Sequence, residues 1–192
     1  MSKSAVIQQT ALQLFSQQGW KRVSVDEICQ QAKVSRVTFY KHFKNKKALL
    51  KQLLFEQKEE VRLRFLDFLK QEISLETIIS QIFKMQEEAL NGLYSQPMQA
   101  DFQYHSDEEI RSFFTTMEQE KYRFMSHFFQ QLQTKRIIQQ DFPIALISVF
   151  TRKIDELRTD PQLCNLYRGK EHQLNIDALQ LMMYGLAYKK EK

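Results

Sequence analysis

Apolar residues return every three or four positions along nearly the whole chain, with polar residues between them, as amphipathic helices around a shared core require. Ile7, Ala11, Leu14 and Phe15 form one such stripe, predicting a helix over 2–18 that Gly19 ends. Ser24-Val25-Asp26-Glu27 has the form of a capping box, opening a second helix lined by Val25, Ile28, Cys29 and Ala32. A third helix begins at Ser35, with Phe39 and Phe43 one turn apart. Asn45 is placed to cap a fourth, which carries Ala48, Leu49 and Leu53 and runs to about Lys70. A tight turn between the second and third of three short helices is the pattern of a helix-turn-helix.

The rest of the chain keeps the helical period. Ser74 precedes a stripe of Ile78, Ile79, Ile82, Met85 and Ala89, after which Asn91-Gly92 and Pro97 mark a break. Ser106–Glu109 is a second capping box, ahead of a long apolar stripe from Ile110 to Leu132. Asp141 and Pro143 open another helix, which ends before Asp160-Pro161, and a final one covers about 171–189. There is no internal repeat, low-complexity tract or alternating strand pattern. The expected fold is all-α with about nine helices, divided into a three-helix head over 1–50 and a larger helical domain over 51–192.

Composition supports long helices with few turns, since the chain has only 4 Gly and 3 Pro, and its 15 Phe are ample material for a core. No apolar run reaches the ~18 residues that span a bilayer. Residues 1–18 lack the apolar block of a signal peptide. Cys29 and Cys164 are too far apart in sequence to imply a disulfide framework, and a reducing cytoplasm is the expected setting. His42, His105, His127 and His172 have no metal-ligand spacing. Phosphate-cradling glycine loops and nucleophile elbows are lacking as well. Neither an enzyme, a metal nor a cofactor is expected.

Charge is unevenly placed. Residues 1–55 hold ten Lys/Arg against two acids, Asp26 and Glu27, for a local charge of +8, whereas the remainder carries 18 against 21, or −3. A basic head on a mildly acidic body fits a module that binds a polyanion.

The third helix supplies the chemistry to read one. With Phe39 and Phe43 turned inward, Arg36, Val37, Thr38, Tyr40, Lys41 and His42 are left outward or sideways. A helix so armed fits the DNA major groove, where its first turn meets base edges and its flanks meet phosphate. Arg36 can donate twice to a guanine, Val37 or the Thr38 methyl can touch a thymine methyl, and Lys41 lies close by. Tyr40 and His42 carry donors suited to phosphate oxygens. Lys44, Lys46 and Lys47 then crowd the start of the fourth helix, where the macrodipole already concentrates positive charge. Lysines gathered against a local stability rule point to a bound anion. Ser24, Lys33 and Ser35, at the ends of the turn segments, complete the expected phosphate contacts.

Taken together these stretches resemble one family. Ala11-Leu12-Gln13-Leu14-Phe15 with Gly19-Trp20, Ser24-Val25-Asp26-Glu27-Ile28, Val34–Phe43 and Asn45–Leu50 closely resemble the DNA-binding domain of the tetracycline-repressor (TetR) family over Ile7–Leu54. The resemblance implies phosphate contacts at Tyr40, His42 and Lys46, with Arg36, Val37 and Thr38 at or near the bases. Two positions depart from the family pattern. Lys33 stands where Gly is usual; in a left-handed conformation it costs roughly 1–2 kcal/mol. Lys47 stands where an acid is common.

The last two helices are apolar nearly all round, and a helix of that kind buries more than one face. A second copy of the chain is the ready explanation, through a four-helix interface built on Leu146, Val149, Phe150 and Ile154 with Leu179, Met182, Met183 and Leu186. Gly185 allows close approach. A two-fold dimer presents two recognition helices, so the expected partner is a palindromic double-stranded operator. The resemblance further implies a small-molecule effector held in the body, which makes residues 51–192 a ligand-binding and dimerisation domain. Candidate lining residues are Phe83, Phe102, Tyr104, Phe113, Phe114, Met117, Phe128 and Phe129, with His105 and His127 as polar handles. A repressor released by that effector is the expected function. The alternative is a TetR-like adaptor acting through protein contacts without an operator.

Overall fold

The computed structural model describes residues 2–103, 107–157 and 160–185. It is all-α, with ten helices and no strand among the described residues. In chain order these are α1 (Lys3–Gln18), α2 (Val25–Gln31), α3 (Arg36–His42), α4 (Lys46–Phe68) and α5 (Leu75–Leu90), then α6 (Gln96–Gln103), α7 (Glu108–Thr134), α8 (Ile144–Leu157), α9 (Pro161–Leu166) and α10 (Glu171–Gly185).

The apolar pattern did not place α6 and α9, and each carries in its first turn a proline that the pattern marks as a break. Pro97 lies in the first turn of α6 and Pro161 is the first residue of α9. A proline there gives up no intrahelical hydrogen bond and arrives with a helical φ. At α9 the Asp160 side chain accepts from the Gln162 and Leu163 amides, both at 3.0 Å, so Asp-Pro opens a helix as well as closing the preceding one.

The chain forms two compact units. The first comprises residues 1–61 and 86–115. Its core includes the predicted stripe Ile7, Ala11, Leu14 and Phe15, together with Ile28, Phe39, Phe43, Leu49 and Leu50. Ser24 and Ser35 cap α2 and α3, and Asn45 accepts the Ala48 amide at 2.8 Å to start α4. Gly19 ends α1 at φ +84°, and a Cβ there would lie 2.5 Å from Asp101 Oδ2 and 3.1 Å from the Pro97 carbonyl. The positive φ favours glycine at this position, and the packing against α6 leaves little room for a side chain. The Ser106 half of the second predicted capping box lies outside the described residues. Asp107 Oδ1 accepts the Ile110 amide at 3.2 Å and so caps the first turn of α7.

Lys33 takes φ +52°, and two backbone bonds, Lys33 N to Gln30 O and Val34 N to Cys29 O, close α2 in a Schellman motif. The turn before α3 is therefore left-handed and adopted by a lysine, at the cost foreseen for a non-glycine residue. Arg136, at φ +56°, closes α7 with the same pair of bonds.

The second unit comprises residues 62–85 and 116–192. Phe65 is the hub of its aromatic core, 4.9 Å from Phe128 and 6.0 Å from Phe124 between ring centroids, both edge-on. Leu132, Ile147, Leu174 and Met183 extend that core, and α8 packs against α10. The expected continuation of the last helix to residue 189, including Leu186, lies outside the described residues.

Candidate nucleic-acid interface

The exposed face of α3 is set by what its buried face fixes. Phe39 and Phe43 are buried with ring centroids 5.7 Å apart, and the Ser35 hydroxyl accepts the Thr38 amide at 3.1 Å. These anchors leave Arg36, Val37, Tyr40, Lys41 and His42 exposed and Thr38 half-buried. Val37 is 79% exposed, a large apolar side chain offered to solvent beside an arginine. Ser24 and Ser35 sit at the helix starts with their hydroxyls engaged as caps. Lys33 and Lys44 are exposed.

Arg36 has company on this face. Its guanidinium lies 3.3 Å from Asp26 Oδ1 on α2 and 6.0 Å from the Tyr40 ring centroid. Tyr40 by hydrogen bonding, and then the Asp26 carboxylate, raise its pKa above the usual arginine value. An exposed pair of this kind contributes little to stability, but it places the guanidinium between the Asp26 carboxylate and the Tyr40 ring.

The lysines at the start of α4 divide into two environments. Lys46 turns inward: Nζ donates to Val23 O at 2.6 Å and Lys21 O at 3.2 Å, and it lies 5.4 Å from the Trp20 ring centroid. Burial lowers its pKa, with Asp101 opposing that shift. Asp101 Oδ2 also accepts the Lys21 amide at 2.8 Å. The Lys21 backbone is thus held at its nitrogen by α6 and at its carbonyl by α4. Lys47 turns to acids instead, 2.8 Å from Asp107 Oδ2 and 3.1 Å from Glu109 Oε2, and Lys51 lies 2.6 Å from Glu109 Oε1. Sequence reading missed Asp26, Asp101, Asp107 and Glu109. Asp101, Asp107 and Glu109 lie some 55–80 positions from their partners, beyond any local pattern.

The expected pocket residues fall on both units. Phe102, Phe113 and Phe114 belong to the first and are half-buried, with Phe102 and Phe114 at 4.6 Å. Phe83, Met117, His127, Phe128 and Phe129 belong to the second, where Phe128 and Phe129 are fully buried core and His127 is exposed. Tyr104 and His105 lie outside the described residues. A recess lined by Lys153, Glu156, Leu157, Asp160 and Pro161 includes none of the expected lining.

Of the expected interface residues, Leu146, Val149 and Phe150 are exposed along α8, while Ile154, Leu179 and Met182 are half-buried. Met183 is fully buried within its own unit. Leu181, 80% exposed, and Tyr184 join the apolar face on α10. A Cβ added at Gly185 would meet nothing within 4 Å. No helix among the described residues is long and apolar enough to cross a membrane.

A basic trihelical head with a donor-lined third helix, joined to further helices, defines a helix-turn-helix protein. Residues 7–53 match the model of the family described as bacterial regulatory proteins, tetR family. The match covers the head alone, and that segment is similar to the N-terminal domain of the family.

Two curated relatives are similar over this head. One is YuxN of Bacillus subtilis (strain 168), described as an uncharacterized HTH-type transcriptional regulator, at 44% identity over 52 residues, 27% of this chain and 18% of that protein. The other is the transposon Tn10 TetC protein of Escherichia coli, at 54% over 37 residues, 19% of each chain. The matched segments span under a fifth of the length of these relatives. Among solved structures, reduced NemR of E. coli is similar over 98% of this chain and 99% of its own, with TM-score 0.70 and 15% identity. FadR of B. subtilis in complex with stearoyl-CoA is similar over 95% and 98%, with TM-score 0.66 and 17% identity. At such identities the likeness is one of fold.

Proposed function

We propose that this chain is a homodimeric transcriptional regulator, a repressor that leaves a palindromic operator when a small molecule binds its body. Residues 1–50 are the reading head and 51–192 the ligand-binding and dimerisation domain. The observation that carries this reading is the outward face of α3, where Arg36, Val37, Tyr40, Lys41 and His42 stand exposed on a helix anchored by Phe39 and Phe43. Arg36, Val37, Thr38 and Lys41 are the base-proximal set. Tyr40, His42, Lys33 and Lys44 contact phosphate, with Ser24 and Ser35 at the same helix ends.

The apolar strip of Leu146, Val149, Phe150 and Leu181 supports pairing, because a face of this kind is covered by a partner in a stable assembly. The stearoyl-CoA held by the similarly folded FadR supports a ligand-responsive body.

Selection of bound duplexes from a random library tests the reading. The expected outcome is a palindrome whose half-sites lie about one helical turn, ~34–36 Å, or a multiple of it apart. Recovery of a pool without consensus would overturn it.

A further inference from the structure

Lys47 and Lys51 lie one turn apart on α4, immediately after the reading helix, and both charges are neutralised within the protein. Asp107 and Glu109, at the start of α7, bring two negative charges against these two positive ones, at 2.6–3.1 Å. Hydrogen bonds to Asp107 and Glu109 hold the Lys47 ammonium charged above its usual range. The same acids belong to the start of α7 itself. Asp107 caps it through the Ile110 amide, and Phe113, one turn on from Glu109, has its ring centroid 5.5 Å from Lys51 Nζ.

Lys47 is the second residue of α4, two positions past its Asn45 cap, where an incoming phosphate would also meet the helix amides. An ammonium bound to two carboxylates gains little from a phosphate, and those carboxylates repel one. We propose that Asp107 and Glu109 form a charge latch that withholds Lys47 from the DNA backbone, so that displacement of the first turn of α7 strengthens operator binding. The latch rests on the DNA-binding reading above and adds to it a route by which the helix after α6 sets affinity. Asp107 and Glu109 are positioning residues here, acting through Lys47.

The test is binding of the full-length protein to a selected palindromic duplex across a salt series, using Asp107→Asn/Glu109→Gln. Asparagine retains a capping oxygen at 107 and glutamine retains the shape at 109. The expected result is binding roughly twofold to fivefold tighter at low salt, the range an exposed ion pair spans. The slope of log affinity on log salt steepens by about one unit for the added phosphate contact. Adding Lys47→Gln should remove that unit. Unchanged or weaker binding, or steepening that persists in full with Lys47→Gln, overturns the latch. Glu109→Gln alone, which leaves the α7 cap untouched, should show a smaller gain of the same sign, and a loss would likewise count against it. A wild-type protein that binds no duplex overturns the DNA reading and the latch together, whereas a wild type that binds no differently from the variants overturns the latch alone.

Discussion

Lys46 Nζ donates to the carbonyl oxygen of Val23 at 2.6 Å, fastening the start of α4 to the residue that precedes the α2 cap. A lysine whose spacing and family resemblance mark it for phosphate thus holds the α1–α2 turn in the unbound protein, with Asp101 gripping the same turn from the other side. Lys46→Ala is expected to leave the Val23 and Lys21 carbonyls without their donor, at about 1–2 kcal/mol of stability. It should weaken DNA binding on every sequence, yet change the salt slope by less than the full unit that one phosphate-bound lysine contributes. Lys44→Ala should do the reverse, flattening the slope with little loss of stability. Thermal melts and salt titrations of the two variants check the distinction.

Arg36 is expected to read bases. Arg36→Ala should relax preference at particular base pairs, by roughly 1–3 kcal/mol for each bidentate pairing with a base, while affinity for non-specific DNA falls far less. Competition across a panel of single-substitution operators measures this. Equal weakening on every sequence would move Arg36 to the phosphate set.

The apolar face of α8 and α10 is expected to carry the dimer. Phe150→Asp and Leu181→Asp place carboxylates on residues that are 55% and 80% exposed in the single chain, so neither should unfold the protomer. Both should shift sedimentation toward the monomer mass and weaken binding to a full palindrome, because burial of an unpaired charge in an interface is costly. Variants that remain dimeric would place the interface elsewhere.

The latch also sets an acid limit on stability. The pKa of Asp107 is lowered from 3.8 by Lys47 and then by the Ile110 amide. That of Glu109 is lowered from 4.5 by Lys51 and then by Lys47. A carboxylate whose folded pKa is depressed adds stability above its unfolded pKa and loses it as pH falls through the folded value. Urea midpoints should therefore drop as pH is lowered from about 5 toward 2, and less steeply in Asp107→Asn/Glu109→Gln. Lys47, shifted upward, adds stability below its unfolded pKa of 10.5 and loses it as pH rises through its folded value. Parallel acid limbs for variant and wild type would contradict this assignment.

Local chemistry was the legible part of this chain. Ser24, Ser35, Asn45 and Ser74 each cap within three residues, and Phe39 and Phe43 meet at one turn, so the helices of the head and the inward face of α3 follow from neighbouring letters. Lys33 was legible as a departure from glycine, and its positive φ matches the reason glycine is usual there. The α6 and α9 helices were not, because proline is read as a stop although it is equally at home in a first turn. Nor were the engagements of Lys46 and Lys47. A run of lysines looks the same in sequence whether it faces solvent, a carbonyl or a carboxylate, and the deciding residues lie on elements brought close only by folding.

Paired recognition of an operator is tested most directly by equilibrium binding of the purified protein to an intact selected palindrome and to one isolated half-site, each measured at two salt concentrations. The expected result is two protomers per palindrome, far weaker binding to the half-site, and affinity that falls steeply with salt. Equal affinity for palindrome, half-site and unrelated duplex, or a single protomer bound per palindrome, would contradict it.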